Sequence, residues 1–380
     1  MNAPTSQKDI RPARPNGVPF IDCDVHPAMR SPRDLEPYLS REWREHMAMF
    51  GNHSRETYQD TIVYPRMHPA ISRADSWPPN GGPPGSDLAF MRAQHLDPLN
   101  VEYGILTPLA TRAADQRRTD YAAALCSALN DWQLATFMEP EPRLKGSIIV
   151  PHEDAAAAVA EIEKRAREKR FVQVMLPPRS AEPLGQKRYW PIFEAAVKHG
   201  YPIGLHVGGQ GGHAVTGAGW PSYYFEEHQT NVQTMQAFIA SMIFGGVFEA
   251  LPQLRVILIE PGFAWVPALT WRMDAQFDKL RAEVPYLKRK PSEYLKSHFW
   301  FTTQPIDEPE RPADLLTILE WIGHDRMMFS SDYPHWDFDD PNVVIPPALS
   351  QASRDAIFTE NARAFYGLPR AGQEIGRAHV

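Results

Sequence analysis

Between residues 101 and 366 the chain alternates two textures. Short, continuously apolar runs are followed by longer stretches in which apolar residues return every three or four positions. The runs read as strands at Tyr103 to Leu106, Leu144 to Val150, Phe171 to Leu176, Ile203 to His206, Leu254 to Ile259, Phe299 to Thr302 and Met327 to Ser330. One more, Phe20 to Val25, lies near the N-terminus. Strands that are apolar on both faces belong in a buried parallel sheet. The helical spacing predicts helices over Asp115 to Met138, Asp154 to Lys169, Tyr189 to His199, Asn231 to Glu249, Ala264 to Ala282, Ala313 to Ile322 and Arg354 to Tyr366. Gly200 follows one of them where a C′ glycine is expected. Eight strands alternating with helices predict the α/β class and a (β/α)8 TIM barrel. An open doubly wound sheet is the runner-up, but no GxGxxG follows the first strand.

The rhythm is interrupted once, by a long insertion after strand 1, residues 28–100. Leu35 to Met49 reads as a helix entered through Ser31-Pro32. Trp77 to Ser86 is too rich in Pro and Gly for regular structure. Tyr58, Tyr64, Trp77 and Phe90 argue for an ordered lid or pocket wall rather than a disordered segment. The expected organisation is a flexible arm at 1–17, a single barrel domain at 18–368 with 28–100 as its lid, and a tail at 369–380.

Composition changes this picture little. The 43% hydrophobic and 22% charged residues are those of a globular protein. A net charge of -7 with no basic cluster argues against nucleic acid. Two cysteines, Cys23 and Cys126, exclude a disulfide framework and favour a reducing, cytoplasmic setting. No apolar window is long enough for a membrane span.

The chemistry is concentrated where strands end. Asp24 and His26 close the first strand, two apart, the spacing that puts side chains on one face. His206 closes the fifth. Ser330-Ser331-Asp332 closes the eighth, before Tyr333-Pro334-His335-Trp336. Each apolar run leads to metal-competent groups and then a Pro or Gly. In parallel α/β sheets such carboxyl ends carry the site. Asp24, His26, His206 and Asp332 are therefore expected around one divalent ion. Oxygen and imidazole donors suit Zn²⁺ first, with Mn²⁺ or Fe²⁺ as alternatives. Arg179 follows Pro177-Pro178 at the end of the fourth strand and could pair with a substrate carboxylate, a surface salt bridge being its competing role. His335 and Trp336 lie just beyond strand eight. His213 and His228 border the glycine-rich stretch Gly208 to Gly212, and either could reach substrate; His228 stands as the candidate contact, with Trp77 and Trp336 as aromatic walls.

These residues resemble the amidohydrolase superfamily, and more closely its amidohydrolase-related branch with the aminocarboxymuconate semialdehyde decarboxylase-like enzymes. Asp24-x-His26, His206 and Ser331-Asp332-Tyr333-Pro334-His335 carry the resemblance, with Gln94 to Thr107 and Val256 to Pro267 beside them. The resemblance implies a (β/α)8 barrel, a mononuclear metal held by Asp24, His26, His206 and Asp332, and a homodimer or higher homo-oligomer. Hydrolysis of C–N or C–C bonds, hydration and non-redox loss of CO2 all occur in such proteins. This chain departs twice: Asp24 stands where many members have His or Glu, and Glu260 where many decarboxylases carry a histidine.

The expected function is a metal-dependent hydrolase of a small aromatic or carboxylated molecule. A metal-activated water would attack with Asp332 as general base, and Glu260 and His335 would assist. The alternative is a metal-dependent non-oxidative decarboxylase of an aromatic or muconate-like acid. A non-catalytic ligand-binding barrel is a third possibility, disfavoured by four metal-competent residues on three strand ends.

Overall fold

A computed structural model describes residues 17–51, 71–109, 113–177, 180–207 and 216–370. Eight parallel strands follow one another in chain order: β1 (Phe20–Val25), β2 (Val101–Leu106), β3 (Leu144–Ile149), β4 (Phe171–Leu176), β5 (Ile203–His206), β6 (Val256–Ile259), β7 (Phe299–Thr302) and β8 (Met327–Met328). The expected (β/α)8 barrel is the observed fold. β8 returns to β1 through Cys23 N–H to Phe329 O at 3.0 Å and His26 N–H to Tyr333 O at 2.8 Å.

Two apolar layers hold it. The larger packs the outer strand faces against the helices, through residues such as Val174, Leu205, Leu258, Ile192 and Met242. The smaller gathers Ile21 and Cys23 from β1, Ile105 from β2, Val172 from β4, Ile257 and Ile259 from β6, and Met328 from β8. Strands that are not neighbours can share side chains only across the barrel interior. Phe365, Tyr366 and Leu368 of the C-terminal segment join this inner cluster.

Several boundaries differ from the sequence expectation, each for a local reason. The helix expected at Leu35 to Met49 splits into a 3-10 segment, Pro32–Tyr38, and a helix, Arg41–Phe50. Pro37 lacks an N–H, and the Ser40 side chain caps the second piece at Trp43 N. The helix expected from Asn231 instead begins at Tyr224 and ends at Phe244, where Gly246 adopts φ 76. A helix at Pro291–His298 was not anticipated, although Pro at its first turn and a Glu293 capping box announce it.

The described parts of the insertion reach the carboxyl ends of the strands. Arg73 N–H donates to Pro334 O at 3.0 Å, and Trp336 N–H donates to Ile71 O at 3.0 Å. Ala28 N–H donates to Gly85 O at 3.1 Å. Gly85, at φ 80, comes so close that a Cβ there would lie 2.3 Å from His26 O.

The seam between β1 and β8 is latched by a buried carboxylate. Asp22 accepts from Ser331 N at 2.9 Å, Ser331 Oγ at 2.6 Å and His95 Nε2 at 2.8 Å. By simple alternation Asp22 would share a face with Asp24, but the register of β1 shifts between Asp22 and Val25, and the two carboxylates find different partners. Asp22→Ala strands these three buried donors and the Asp24 N–H, which also reaches Asp22 Oδ1 at 3.3 Å. It is expected to cost about 3–5 kcal/mol in urea unfolding, as breaking a buried polar pair does; a loss below about 1 kcal/mol would show the latch to be dispensable.

Candidate active site and metal centre

Four strand ends meet at the mouth of the barrel. Asp24 Oδ1 lies 3.3 Å from His26 Nε2, and Asp24 Oδ2 lies 3.4 Å from His206 Nε2. His206 Nε2 is also 3.1 Å from Glu260 Oε2. Asp332 Oδ1 sits 2.7 Å from His26 Nε2 and 2.7 Å from His335 Nδ1. The His26 and His335 rings stack at 4.3 Å, and the His26 and His206 rings meet edge to face at 5.0 Å. Three donor sets close to metal-binding dimensions: Asp24, His26, His206, Glu260; His26, Glu260, Asp332, His335; and His228, Glu260, Asp337.

The backbone aims these groups. Glu260 and Asp332 both follow short apolar runs and adopt φ 63, a conformation non-glycine residues seldom take. Such strain persists where the surroundings over-determine it, and it clusters at functional sites. Glu260 is fixed by its N–H, which donates to Thr302 Oγ1 at 2.9 Å. His26 is oriented through Nδ1, which lies 2.8 Å from Thr107 O, and Thr107 Oγ1 donates to Asp24 Oδ1. His206 Nδ1 is turned to Val207 O at 2.5 Å. Both histidines thus direct Nε2 into the cluster, as imidazole ligands oriented by a carbonyl do.

Two atoms test whether a metal fits. Asp24 Oδ2 and His206 Nε2 are buried, and neither has a hydrogen-bond partner. Their close approaches to each other and to Glu260 lack hydrogen-bond alignment. A carboxylate oxygen and an imidazole nitrogen left so would each carry a desolvation cost; a shared divalent cation satisfies both. The donor set fits.

The protein's own groups push the titrations apart. Burial works to raise Asp24, but His26 and His206 overcome it and hold the carboxyl well below the usual range. Burial works to lower His206, and Asp24 and Glu260 outweigh it, setting its pKa at about 10. Burial, then the Asp337 and Asp24 charges, lift Asp332 far above an ordinary aspartate despite His26. Burial and Asp332 likewise raise Glu260. Burial and the neighbouring His26 depress His335 to about 3, so its imidazole is neutral.

Of the residues singled out from sequence, Asp24, His26, His206, Glu260, Asp332 and His335 converge. His228 lies on the helix Tyr224–Phe244, with Nε2 3.2 Å from Asp337 Oδ2. Trp336 is 50% exposed at the rim, its ring 5.7 Å from His228 and its Nε1 3.3 Å from Tyr224 Oη. Trp77 lies on the insertion, 42% exposed. Arg179, His213, the glycine-rich stretch, Tyr58 and Tyr64 fall outside the described residues. Sequence reasoning passed over Thr107, Gln304 and Asp337. Gln304 Nε2 reaches Asp332 Oδ2 at 3.2 Å and Asp337 Oδ2 at 3.0 Å. Thr107-Pro108 and Gln304-Pro305 end β2 and β7 with the same order of apolar run, polar residue and proline, so the signal was present.

A parallel barrel with a metal-competent mouth defines a class of enzymes, and the sequence places the chain within it. The family described as Amidohydrolase matches residues 21–368, and the chain belongs to that family. It is 27% identical over 302 residues to a gamma-resorcylate decarboxylase of Polaromonas sp. (strain JS666 / ATCC BAA-500), covering 75% of this chain and 89% of the relative. It is 24% identical over 289 residues to the 2-amino-3-carboxymuconate-6-semialdehyde decarboxylase of Dictyostelium discoideum, covering 73% and 76%. The crystal structure of a dihydroxybenzoic acid decarboxylase from Polaromonas sp. JS666, with bound manganese and the inhibitor 2-nitroresorcinol, superposes with a TM-score of 0.66 at 20% identity, covering 94% of this chain and 98% of that one.

These relatives overturn the hydrolase expected from the sequence, because they are named as decarboxylases. The physical reason for the error is that a set of imidazole and carboxylate donors suits a metal that activates water and a metal that holds a carboxylic acid alike, so donor types alone do not choose between the two reactions. Zinc, the first choice from the donor types, gains no specific support; the metal in the structural neighbour is manganese. Among the described residues no helix is long and apolar enough to cross a membrane.

Proposed function

We propose that the protein is a divalent-metal-dependent, non-oxidative decarboxylase of an aromatic or muconate-like carboxylic acid. The observation that carries this reading is Asp332, a fully buried carboxyl just after β8, 2.7 Å from both His26 Nε2 and His335 Nδ1 and set among metal-competent groups. Breaking the bond between a carbon and its carboxylate leaves the electron pair on that carbon. The site must therefore deliver one proton there, and no electron acceptor is needed.

Asp24, His26, His206 and Asp332 would hold the ion, as assigned from sequence, with Glu260 beside them. When bound, the ion supplies positive charge that draws in an anionic substrate and polarises its oxygens. Asp332 is assigned as the proton donor, from Oδ2. Its Oδ1 is engaged by His26 and His335, whereas among the described residues Oδ2 accepts only from the neutral Gln304 amide, at 3.2 Å. His335 keeps the carboxyl oriented, and its neutral ring adds no competing positive charge. Tyr224 and Trp336 form an aromatic rim against which a substrate ring can lie.

The test is turnover in D2O with protein loaded separately with Mn²⁺ and Zn²⁺, on 2,6-dihydroxybenzoate and 2-amino-3-carboxymuconate 6-semialdehyde. One CO2 per substrate is expected, with one deuterium in the product on the carbon that lost the carboxyl. The faster loaded form identifies the working metal. No CO2 from these acids, or from a wider panel of carboxylated aromatics, sinks the proposal and leaves a binding barrel.

A further inference from the structure

Glu260 faces two ways. Its Oε2 lies 3.1 Å from His206 Nε2, and its Oε1 lies 4.0 Å from His228 Nε2. Asp337 Oδ2 approaches the same His228 nitrogen at 3.2 Å. We propose that His228, Glu260 and Asp337 form a second divalent-cation site, weaker than the one around Asp24 and His206, with the Glu260 carboxylate bridging the two.

Several observations support it independently. One donor atom from each of the three residues can be chosen so that all lie within 4.8 Å of one another. Nitrogen and oxygen ligands sit about 2.0–2.2 Å from a zinc-like ion, so small side-chain movements close this set on a cation. The Glu260 side chain is only 9% exposed, and among the described residues no hydrogen bond reaches its carboxylate. Its near neighbours among the described residues are imidazole nitrogens, His206 Nε2 at Oε2 and His228 Nε2 at Oε1, and a cation on each oxygen would take both nitrogens as ligands. Paired metal sites lie roughly 3.5–4 Å apart, a separation that one carboxylate spans. Gln304 donates to both Asp332 and Asp337, tying the two donor sets together from outside as ligand-orienting partners do. His228 and Asp337 are more exposed than Asp24 and Asp332, which places the second ion on the solvent side of the first. His228, offered above as a substrate contact, is thereby reassigned.

The count of ions tests this without any substrate, so it stands or falls apart from the decarboxylase assignment. Chelator-stripped full-length protein is titrated with Mn²⁺ by calorimetry and by elemental analysis after gel filtration. Wild type is expected to take up two ions in two steps, and the doubly loaded form to give the broadened electron paramagnetic resonance signal of a coupled manganese pair. Asp337→Asn and His228→Ala should each keep the tight step and weaken the second by more than the roughly 10–100-fold that loss of an outer-shell partner costs. Circular dichroism confirms folding, and two variants guard against one that fails to fold. Saturation at one ion in millimolar Mn²⁺ overturns the proposal. So does retention of both steps in the two variants, or a raised KM in them with an unchanged single ion, which would return His228 to the substrate.

Discussion

Asp332→Asn is expected to lower turnover by roughly 10²–10⁴-fold, the range associated with loss of a general acid. The substitution keeps the size of the side chain. Asparagine also tolerates the φ of 63 at this position better than most residues, so the loop after β8 should hold its shape. What is lost is the carboxyl proton and the anion. The new amide nitrogen must face either the Gln304 donor or the side of His26 Nε2 and His335 Nδ1 where the ion would sit, so at least one contact of the carboxylate is lost. Stopped assays of CO2 release, with circular dichroism and metal content in parallel, separate loss of chemistry from loss of fold. Turnover within a few-fold of wild type in correctly loaded protein would remove Asp332 from the mechanism.

Glu260→Gln is expected to cut turnover by roughly 10²-fold or more while one ion per chain remains. The residue stands at the junction of the metal-competent sets, between His206 and His228, and burial and Asp332 raise its pKa. Glutamine preserves a carbonyl oxygen and the shape of the side chain but carries no charge and cannot exchange a proton. Asp24, His26, His206 and Asp332 stay in place to hold the tight ion, so the variant isolates the contribution of the second carboxylate oxygen. Near-normal turnover would make Glu260 a structural group; total loss of metal would make it an indispensable ligand of the first ion.

Much of this architecture is written locally. Phe171–Leu176, Ile203–His206 and Phe299–Thr302 are found where the apolar runs lie, because a strand buried on both faces must be apolar throughout and the flanking Pro, Gly and charged residues end it. Asp24, His26, His206, Glu260 and Asp332 were legible for the same reason. Each is a polar residue at the end of an apolar run, the point where a parallel barrel opens. Helix ends were less legible where the deciding residue acts through a cap or a single glycine, as at Ser40 and Gly246.

The tertiary structure decided the rest. Asp24 and Asp332 are 308 positions apart, and only closure of the barrel between β8 and β1 brings them to one imidazole, that of His26. The shift in register along β1 sends Asp22 to Ser331 and His95 and Asp24 to His206, a distinction that strict alternation along the strand does not make. His228 faces Glu260 and Asp337 because its helix starts at Tyr224, before the apolar spacing alone would begin it. Donor types and their order along the chain are one-dimensional, so sequence holds them. Which oxygen meets which nitrogen depends on strand register, barrel closure and the strained backbone at Glu260 and Asp332, and those exist only once the barrel has formed.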